Sequence, residues 1–151
     1  MKIETTRFGT VTLGEEKILN MPFGMLGFQD KKRFVILQNK ENSPFFWYQS
    51  VDDPSLAFVI TSPYLFVPDY EVDIEDVLIE MSWNGNSKNN VLELYVVVNI
   101  PKGSPEKMTA NLIGPVLINN KTRQAVQVVM SNSPYIHNFP LITQGEIESE
   151  S

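Results

Sequence analysis

Short apolar runs follow one another along most of the chain, and turn residues separate them. In the clearest run, residues 91–100, two sets of side chains alternate with the period of two typical of a half-buried strand. The more apolar set is Leu92, Leu94, Val96, Val98 and Ile100. Alternation and β-branched or aromatic content together predict about ten short strands. They cover residues 2–6, 10–13, 17–21, 34–38, 45–51, 56–61, 91–100, 108–113, 116–118 and 125–130.

One segment, residues 73–81, has a helical pattern instead. Its apolar residues lie three and four positions apart, as on one stripe of a helix, and they are Ile74, Val77, Leu78 and Met81. Asp73 is suited to cap the first turn, and the acids that follow lie near the positive end of the helix dipole. We expect Asn84 and Gly85 to end this short helix.

Many short strands with one helix predict a mainly β, all-β fold. Closing the sheet removes unpaired strand edges, so we expect a flattened antiparallel β-barrel with one short helix. A length of 151 residues fits a single domain. Residues 1–144 are predicted to form the barrel domain, and residues 145–151 an acidic, flexible tail.

Residues suited to catalysis are scarce in this chain. It has no cysteine, so disulfides, thiolate metal sites and cysteine nucleophiles are excluded, and we predict neither a metal nor a cofactor. The single histidine, His137, is interpreted as a loop residue; a hydrolase that uses it stays an alternative. Asp52 and Asp53 precede Pro54, which favours a solvated turn over an acid–base pair.

Charge is distributed unevenly along the chain, whose net charge is −6. Residues 41–87 contain nine carboxylates and neither lysine nor arginine, whereas the rest carries twelve bases against nine acids. This balance argues against direct binding of nucleic acid, which needs clustered bases. The chain has neither an apolar signal core nor a run long enough to span a bilayer, so we expect a cytoplasmic protein without membrane contact.

Two features suggest a protein-binding surface. In a strand over 45–51, Phe46 and Tyr48 share one face, and they are either covered by another element or exposed as anchors for a partner. The acidic segment is either an ordinary solvated face or a docking surface for a basic partner. Its candidate contact residues are Asp69, Glu71, Asp73, Glu75 and Asp76.

Six blocks, in this order and spacing, resemble the FliW family of flagellar assembly factors over nearly the whole chain. The blocks are Thr6-Arg7-Phe8-Gly9, Phe23-Gly24-Met25-Leu26-Gly27-Phe28, Pro44 to Pro54 with Leu56-Ala57-Phe58, Pro68-Asp69-Tyr70-Glu71-Val72, Asn111 to Asn119, and Gln124 to Val129. Two departures are the polar stretch 83–90, which suggests an inserted loop, and Gly114 at a position where another small residue is expected.

The resemblance implies a non-enzymatic, barrel-like cytoplasmic protein that regulates flagellum biogenesis. Nothing in the sequence demands an oligomer, so we expect a monomer when the protein is free. Such proteins bind unassembled flagellin, and they also bind the RNA-binding regulator CsrA and relieve its repression of flagellin translation. Export of flagellin frees the factor to sequester CsrA, an exchange called partner switching. We hypothesise that the acidic segment contacts CsrA and that Phe46 and Tyr48 supply apolar anchoring. A barrel that binds a small molecule is the alternative from another class.

Overall fold

The computed structural model describes residues 1–38, 43–83, 91–130 and 133–141. Within these ranges the chain forms eleven strands, three 3-10 turns and one α-helix. The strands are β1 Lys2–Thr5, β2 Gly9–Thr12, β3 Leu19–Asn20, β4 Arg33–Gln38, β5 Phe45–Ser50, β6 Ala57–Thr61, β7 Leu92–Asn99, β8 Thr109–Ala110, β9 Val116–Asn119, β10 Gln124–Gln127 and β11 Phe139–Pro140. The helix, α1, covers Glu75–Glu80, and the 3-10 turns cover Glu15–Lys17, Pro63–Leu65 and Pro105–Lys107.

Seven strands form a closed ring in the order β7-β6-β5-β4-β3-β10-β9, and β9 pairs with β7 to complete it. The mainly β, single-domain fold with a closed ring of strands is therefore confirmed. Its pairings are antiparallel except one: β3 and β10 run parallel where Asn20 lies beside Gln124. This contact is too short to leave a pattern in the sequence. The hairpin of β1 and β2 forms a small separate sheet.

The longest strand, β7, has two different neighbours along one of its edges. Its first half, from Leu92 to Tyr95, pairs with β9 and closes the ring. Its end, at Val98 and Asn99, pairs instead with β8, which continues to β11 outside the ring. Side chains cover both faces of β7 as well: Tyr95 packs towards the ring interior, and Val98 packs in a second cluster.

The ring interior is filled by side chains from nearly every strand. Phe34 and Tyr48 are fully buried there, and their rings stack in parallel with centroids 4.5 Å apart. The remaining buried members are Leu19, Met21, Met25, Ile60, Val116, Ile118 and Ala125. The interior is therefore a packed core, as in other small barrels. This packing gives the small-molecule alternative no support.

The helix packs outside the ring and carries the predicted stripe. Ile74, Val77, Leu78 and Met81 contact a cluster around Trp83, whose indole Nε1 donates to Gln124 Oε1 over 3.1 Å. The helix begins later than predicted, so its N-cap is Ile74 and not Asp73. The Asp73 carboxylate still accepts a hydrogen bond from the Glu75 amide (3.1 Å), which satisfies one free donor at the helix start.

The helix ends earlier than predicted. Ser82 adopts a left-handed conformation with φ of 60°, and the Trp83 amide donates to the Leu78 carbonyl over 2.7 Å. With the bond from the Ser82 amide to the Ile79 carbonyl, this is the Schellman arrangement. Asn84 and Gly85, predicted to end the helix, lie outside the described residues.

Several predicted strands are shorter than their apolar runs. Residues 17–21 contribute only Leu19–Asn20, and residues 108–113 only Thr109–Ala110. β11 was not predicted, because a two-residue pairing has no periodicity to detect. In contrast, the strand predicted over residues 125–130 agrees closely with the observed pairing. Beyond Gln127, where β10 ends, the amides of Val128 and Met130 still donate to the carbonyls of Pro115 and Ile113. The predicted acidic tail, 145–151, lies outside the described residues.

Two buried tyrosines allow a paired test of the core. The Tyr48 hydroxyl has no hydrogen-bond partner among the described residues, whereas the Tyr70 hydroxyl donates to the Leu112 carbonyl over 2.6 Å. We expect Tyr48→Phe to leave the free energy of unfolding unchanged or to raise it by about 1 kcal/mol. Tyr70→Phe should lower it by about 1–2 kcal/mol, because a buried carbonyl loses its donor. Urea unfolding of both variants checks this, and a larger loss from Tyr48→Phe would contradict it.

Candidate functional site

The acidic segment from Asp69 to Glu80 lies on the surface. All the carboxylates predicted as contact residues are exposed, while Val72 and Ile74 between them are half-buried and pack against the Trp83 cluster. Tyr70 is buried and holds the start of the segment through its bond to Leu112. Because the apolar side chains anchor the backbone, the carboxylates are held outward in one region.

Among the described residues, no carboxylate of this region forms an ion pair with a lysine, arginine or histidine. The two ion pairs found in the described ranges lie elsewhere, between Lys31 and Asp30 and between Arg33 and Asp52. The unevenness of charge seen in the sequence is therefore not cancelled by ion pairs among the described residues. A surface of this kind attracts a basic partner and repels anions.

Part of the acidic segment borders a cavity of about 460 Å³, which we call the acidic cavity. Its lining residues are Glu71, Asp73, Val128, Val129, Met130, Ser133, Pro134 and Tyr135. The Glu71 amide donates to the Tyr135 hydroxyl (2.9 Å), and the Tyr135 ring lies 4.7 Å from that of Tyr70, centroid to centroid. The pKa of Tyr70 is raised mainly by burial and to a smaller extent by the neighbouring tyrosines. The cavity thus combines two carboxylates with an apolar wall.

Beside the acidic cavity lies an apolar surface that the sequence reasoning missed. Phe23, Leu26 and Val129, which we call the apolar ridge, are 53%, 64% and 63% exposed. They surround a second cavity of about 170 Å³. Val129 lines both cavities, so the apolar ridge and the acidic cavity adjoin at this residue. The available signal was two large apolar residues, Phe23 and Leu26, in a loop rich in glycine.

Gln127 holds the ridge loop against the ring. Its Oε1 accepts from the Leu26 amide (2.8 Å), and its Nε2 donates to the Gly114 carbonyl (2.9 Å). Gly24 has φ of +66°, and a Cβ there would lie 2.6 Å from Cα of Gln29. The loop therefore requires glycine at position 24 and takes a defined position over β10.

Phe46 and Tyr48 share the interior face of β5, as their spacing predicted. Tyr48 is 0% exposed and burial raises its pKa, so the structure places it in the core and out of reach of a partner. For Tyr48, the hypothesis of an exposed anchor was wrong, because ring closure turned this face of β5 inward. Phe46 is half-buried; its ring meets Tyr95 edge-on at 6.3 Å, and it also borders an open cavity of about 220 Å³.

The other face of β5 carries Trp47. The Arg7 guanidinium lies 4.0 Å from the centroid of the Trp47 ring, in cation–π geometry, and the Phe8 ring packs edge-on against it at 6.4 Å. This contact attaches the β1–β2 hairpin to the ring.

Asp52, Asp53 and His137, the residues considered for catalysis, lie in turns. Asp53 Oδ1 accepts from the Ser55 hydroxyl (2.8 Å), and this bond lowers the pKa of Asp53. Asp52 pairs with Arg33, and the Leu56 amide donates to the Asp53 carbonyl (3.1 Å) across a turn whose residues Pro54 and Ser55 are exposed. His137 is exposed in a turn. In the described part of the chain, no three His, Cys, Asp or Glu side chains are grouped so as to hold a metal ion.

Comparison with known proteins is consistent across the chain. The family model described as "FliW protein" matches residues 2–141. The flagellar assembly factor FliW of Treponema pallidum is 41% identical over 144 residues, covering 95% of this chain and 93% of the relative. That of Magnetococcus marinus is 38% identical over 142 residues, covering 94% of this chain and 85% of the relative.

The chain belongs to the FliW family. A crystal structure titled as the flagellar assembly factor FliW superposes with a TM-score of 0.82 at 32% identity, covering 95% of this chain and 99% of that one. The resemblance that the six sequence blocks indicated is therefore confirmed. In this FliW-family chain, no helix within the described ranges is both long enough and apolar enough to cross a membrane.

The role of Gln127 in this FliW-family chain is open to a direct test. We expect Gln127→Ala to speed hydrogen exchange at the Leu26 amide, which loses its acceptor, while the free energy of unfolding falls by only about 1 kcal/mol. Gln29→Ala, a change of an exposed residue beside the same cavity, serves as the control and should leave that exchange unchanged. Equal exchange rates in wild type and Gln127→Ala would contradict this account of the loop.

Proposed function

We propose that this chain is a flagellar assembly factor that works by binding proteins, without catalysis, in the bacterial cytoplasm. Its partners are unassembled flagellin and the translational repressor CsrA, between which it switches. The proposal is supported by membership of a family whose relatives are named flagellar assembly factors. The observation that carries it is the exposed acidic segment, from which described bases are absent.

The electrostatic argument concerns CsrA. A protein that grips RNA phosphates must present basic side chains, since phosphate neutralisation dominates such binding. The exposed carboxylates of the acidic segment attract that basic surface and repel RNA from it. Binding here would thus lower the affinity of CsrA for its message.

Switching depends on how much of this chain is free to bind CsrA. While unassembled flagellin accumulates, it occupies the factor and leaves CsrA free to repress flagellin translation. Export removes flagellin, the factor binds CsrA, and synthesis resumes. The exchange needs only that binding of one partner weakens binding of the other, which is a coupling free energy between the two.

Reversal of three acids tests the electrostatic contact. We expect Glu71→Lys, Glu75→Lys and Asp76→Lys, combined, to slow association with CsrA and to reduce its dependence on salt, because long-range attraction raises association rates. Stopped-flow mixing at several salt concentrations measures both quantities.

The matched control changes the net charge equally at a different place. Glu15, Glu16 and Glu106 are also exposed, and their combined reversal to lysine should affect association much less. Unchanged kinetics at low salt in the first variant, or equal slowing in both, would refute the assignment of CsrA to the acidic segment.

Competition between the partners tests switching. We expect flagellin to displace CsrA from the immobilised chain, and CsrA to displace flagellin, in a pull-down with purified proteins. Displacement in proportion to the added competitor supports the exchange. A stable complex that contains all three proteins would contradict it.

Phe46 is the remaining candidate for apolar anchoring. It is half-buried, and it borders an open cavity together with Trp47 and Ile100. We expect Phe46→Ala to weaken partner affinity by about 1–2 kcal/mol. Calorimetric titration at a temperature where the variant is fully folded separates this from lost packing. Reduced stability with intact affinity would assign Phe46 to the core alone.

A further inference from the structure

The apolar ridge is a surface feature that folding alone does not explain. Phe23, Leu26 and Val129 are more than half exposed and lie around one cavity. Scattered exposed apolar residues are common, but clustered ones with a polar rim mark places where another molecule binds. Here the rim is the acidic cavity, with the carboxylates of Glu71 and Asp73.

The strand that carries Val129 fixes both halves of this surface. The amides of Val128 and Met130 are bonded to the carbonyls of Pro115 and Ile113, so the intervening Val129 side chain projects from the opposite face to theirs. Two residues earlier, Gln127 clamps the ridge loop through the Leu26 amide. The surface is thus held in shape before any partner arrives, which lowers the entropy lost on binding.

The chemistry of the surface selects among possible occupants. A second copy of this chain would bring acidic rims together in a symmetric contact, and the like charges would repel. An anionic membrane is disfavoured for the same reason. The complementary occupant has apolar groups beside basic groups on one side, as an amphipathic helix does. An extended segment points alternate side chains to opposite faces instead.

We propose that the apolar ridge and the acidic cavity together form a docking groove for a helix that carries an apolar stripe flanked by Lys or Arg. The stripe packs on Phe23, Leu26 and Val129, and the basic flank pairs with Glu71 and Asp73. This is the helix-in-groove mode of recognition. The inference rests on the proposed function, because it names the site through which a protein partner is held.

Neutral substitutions test the ridge without altering its charge. The double variant Leu26→Asn, Val129→Thr is titrated calorimetrically with purified monomeric flagellin and, separately, with CsrA. We expect it to bind the partner that uses the groove at least about ten-fold more weakly than wild type does. Leu65→Asn is the matched control, because Leu65 is 60% exposed and lines neither cavity. It should bind like wild type.

Two further measurements test the basic flank and the helix. Glu71→Gln with Asp73→Asn should reduce the salt dependence of the same affinity, since the ion pairs are removed while the shape is kept. Hydrogen exchange of the bound partner should show protection in a helical segment that contains Lys or Arg beside its apolar stripe.

The outcomes separate this inference from the function on which it rests. Unchanged affinity of the ridge variant for every partner that wild type binds would overturn the docking groove alone. Protection confined to non-helical parts of the partner would do the same. A wild-type chain that binds neither flagellin nor CsrA would overturn the proposed function, and the groove with it.

Discussion

Pairing of β7 with β9 is the interaction on which the rest of this structure depends. It joins Leu92–Tyr95 to Val116–Asn119 and turns a long sheet into a ring. Closure leaves each ring strand with a partner on both sides and encloses Phe34, Tyr48 and their neighbours. Without it the interior face of β5 would be open to solvent. The same closure is why Tyr48 is unavailable to a partner.

A closed ring still leaves its outer face to be covered, and the chain uses its irregular segments for this. The segment between β6 and β7 packs Tyr70 and the α1 stripe onto the outside, with Trp83 at the centre of one cluster. Each of these anchors is apolar. The alternating residues of the same segment are acids that face water, so covering the ring and charging its surface are two results of one pattern.

The functional surface follows from this division. The electrostatic field of the acids alone attracts a partner from a distance but does not fix its orientation. The apolar ridge beside them adds a short-range contact with a defined shape, held by Gln127 and by the bonds of Val128 and Met130. Long-range attraction and local packing thus meet at Val129. This combination suits a factor that must bind quickly and still distinguish its partners.

The sequence by itself determined the elements with long periodicity. It predicted β4 to β7, the single helix with its stripe, and the common face of Phe46 and Tyr48. It also predicted an exposed acidic segment, because both alternatives for that segment, a solvated face and a docking surface, lie on the outside of the protein. Six ordered blocks of the sequence indicated the FliW family.

Tertiary structure decided everything that depends on distant segments. The two-residue strands β3, β8 and β11 exist only because a neighbour lies beside them, and the parallel contact of Asn20 with Gln124 leaves no local pattern. Which face of β5 is interior was set by ring closure. The apolar ridge combines residues of a loop with a residue that follows β10. The bond that holds this loop in place joins Leu26 to Gln127, which are 101 residues apart in the sequence. Periodicity reports only on neighbours along the chain, so a surface assembled across that separation is visible only once the chain has folded.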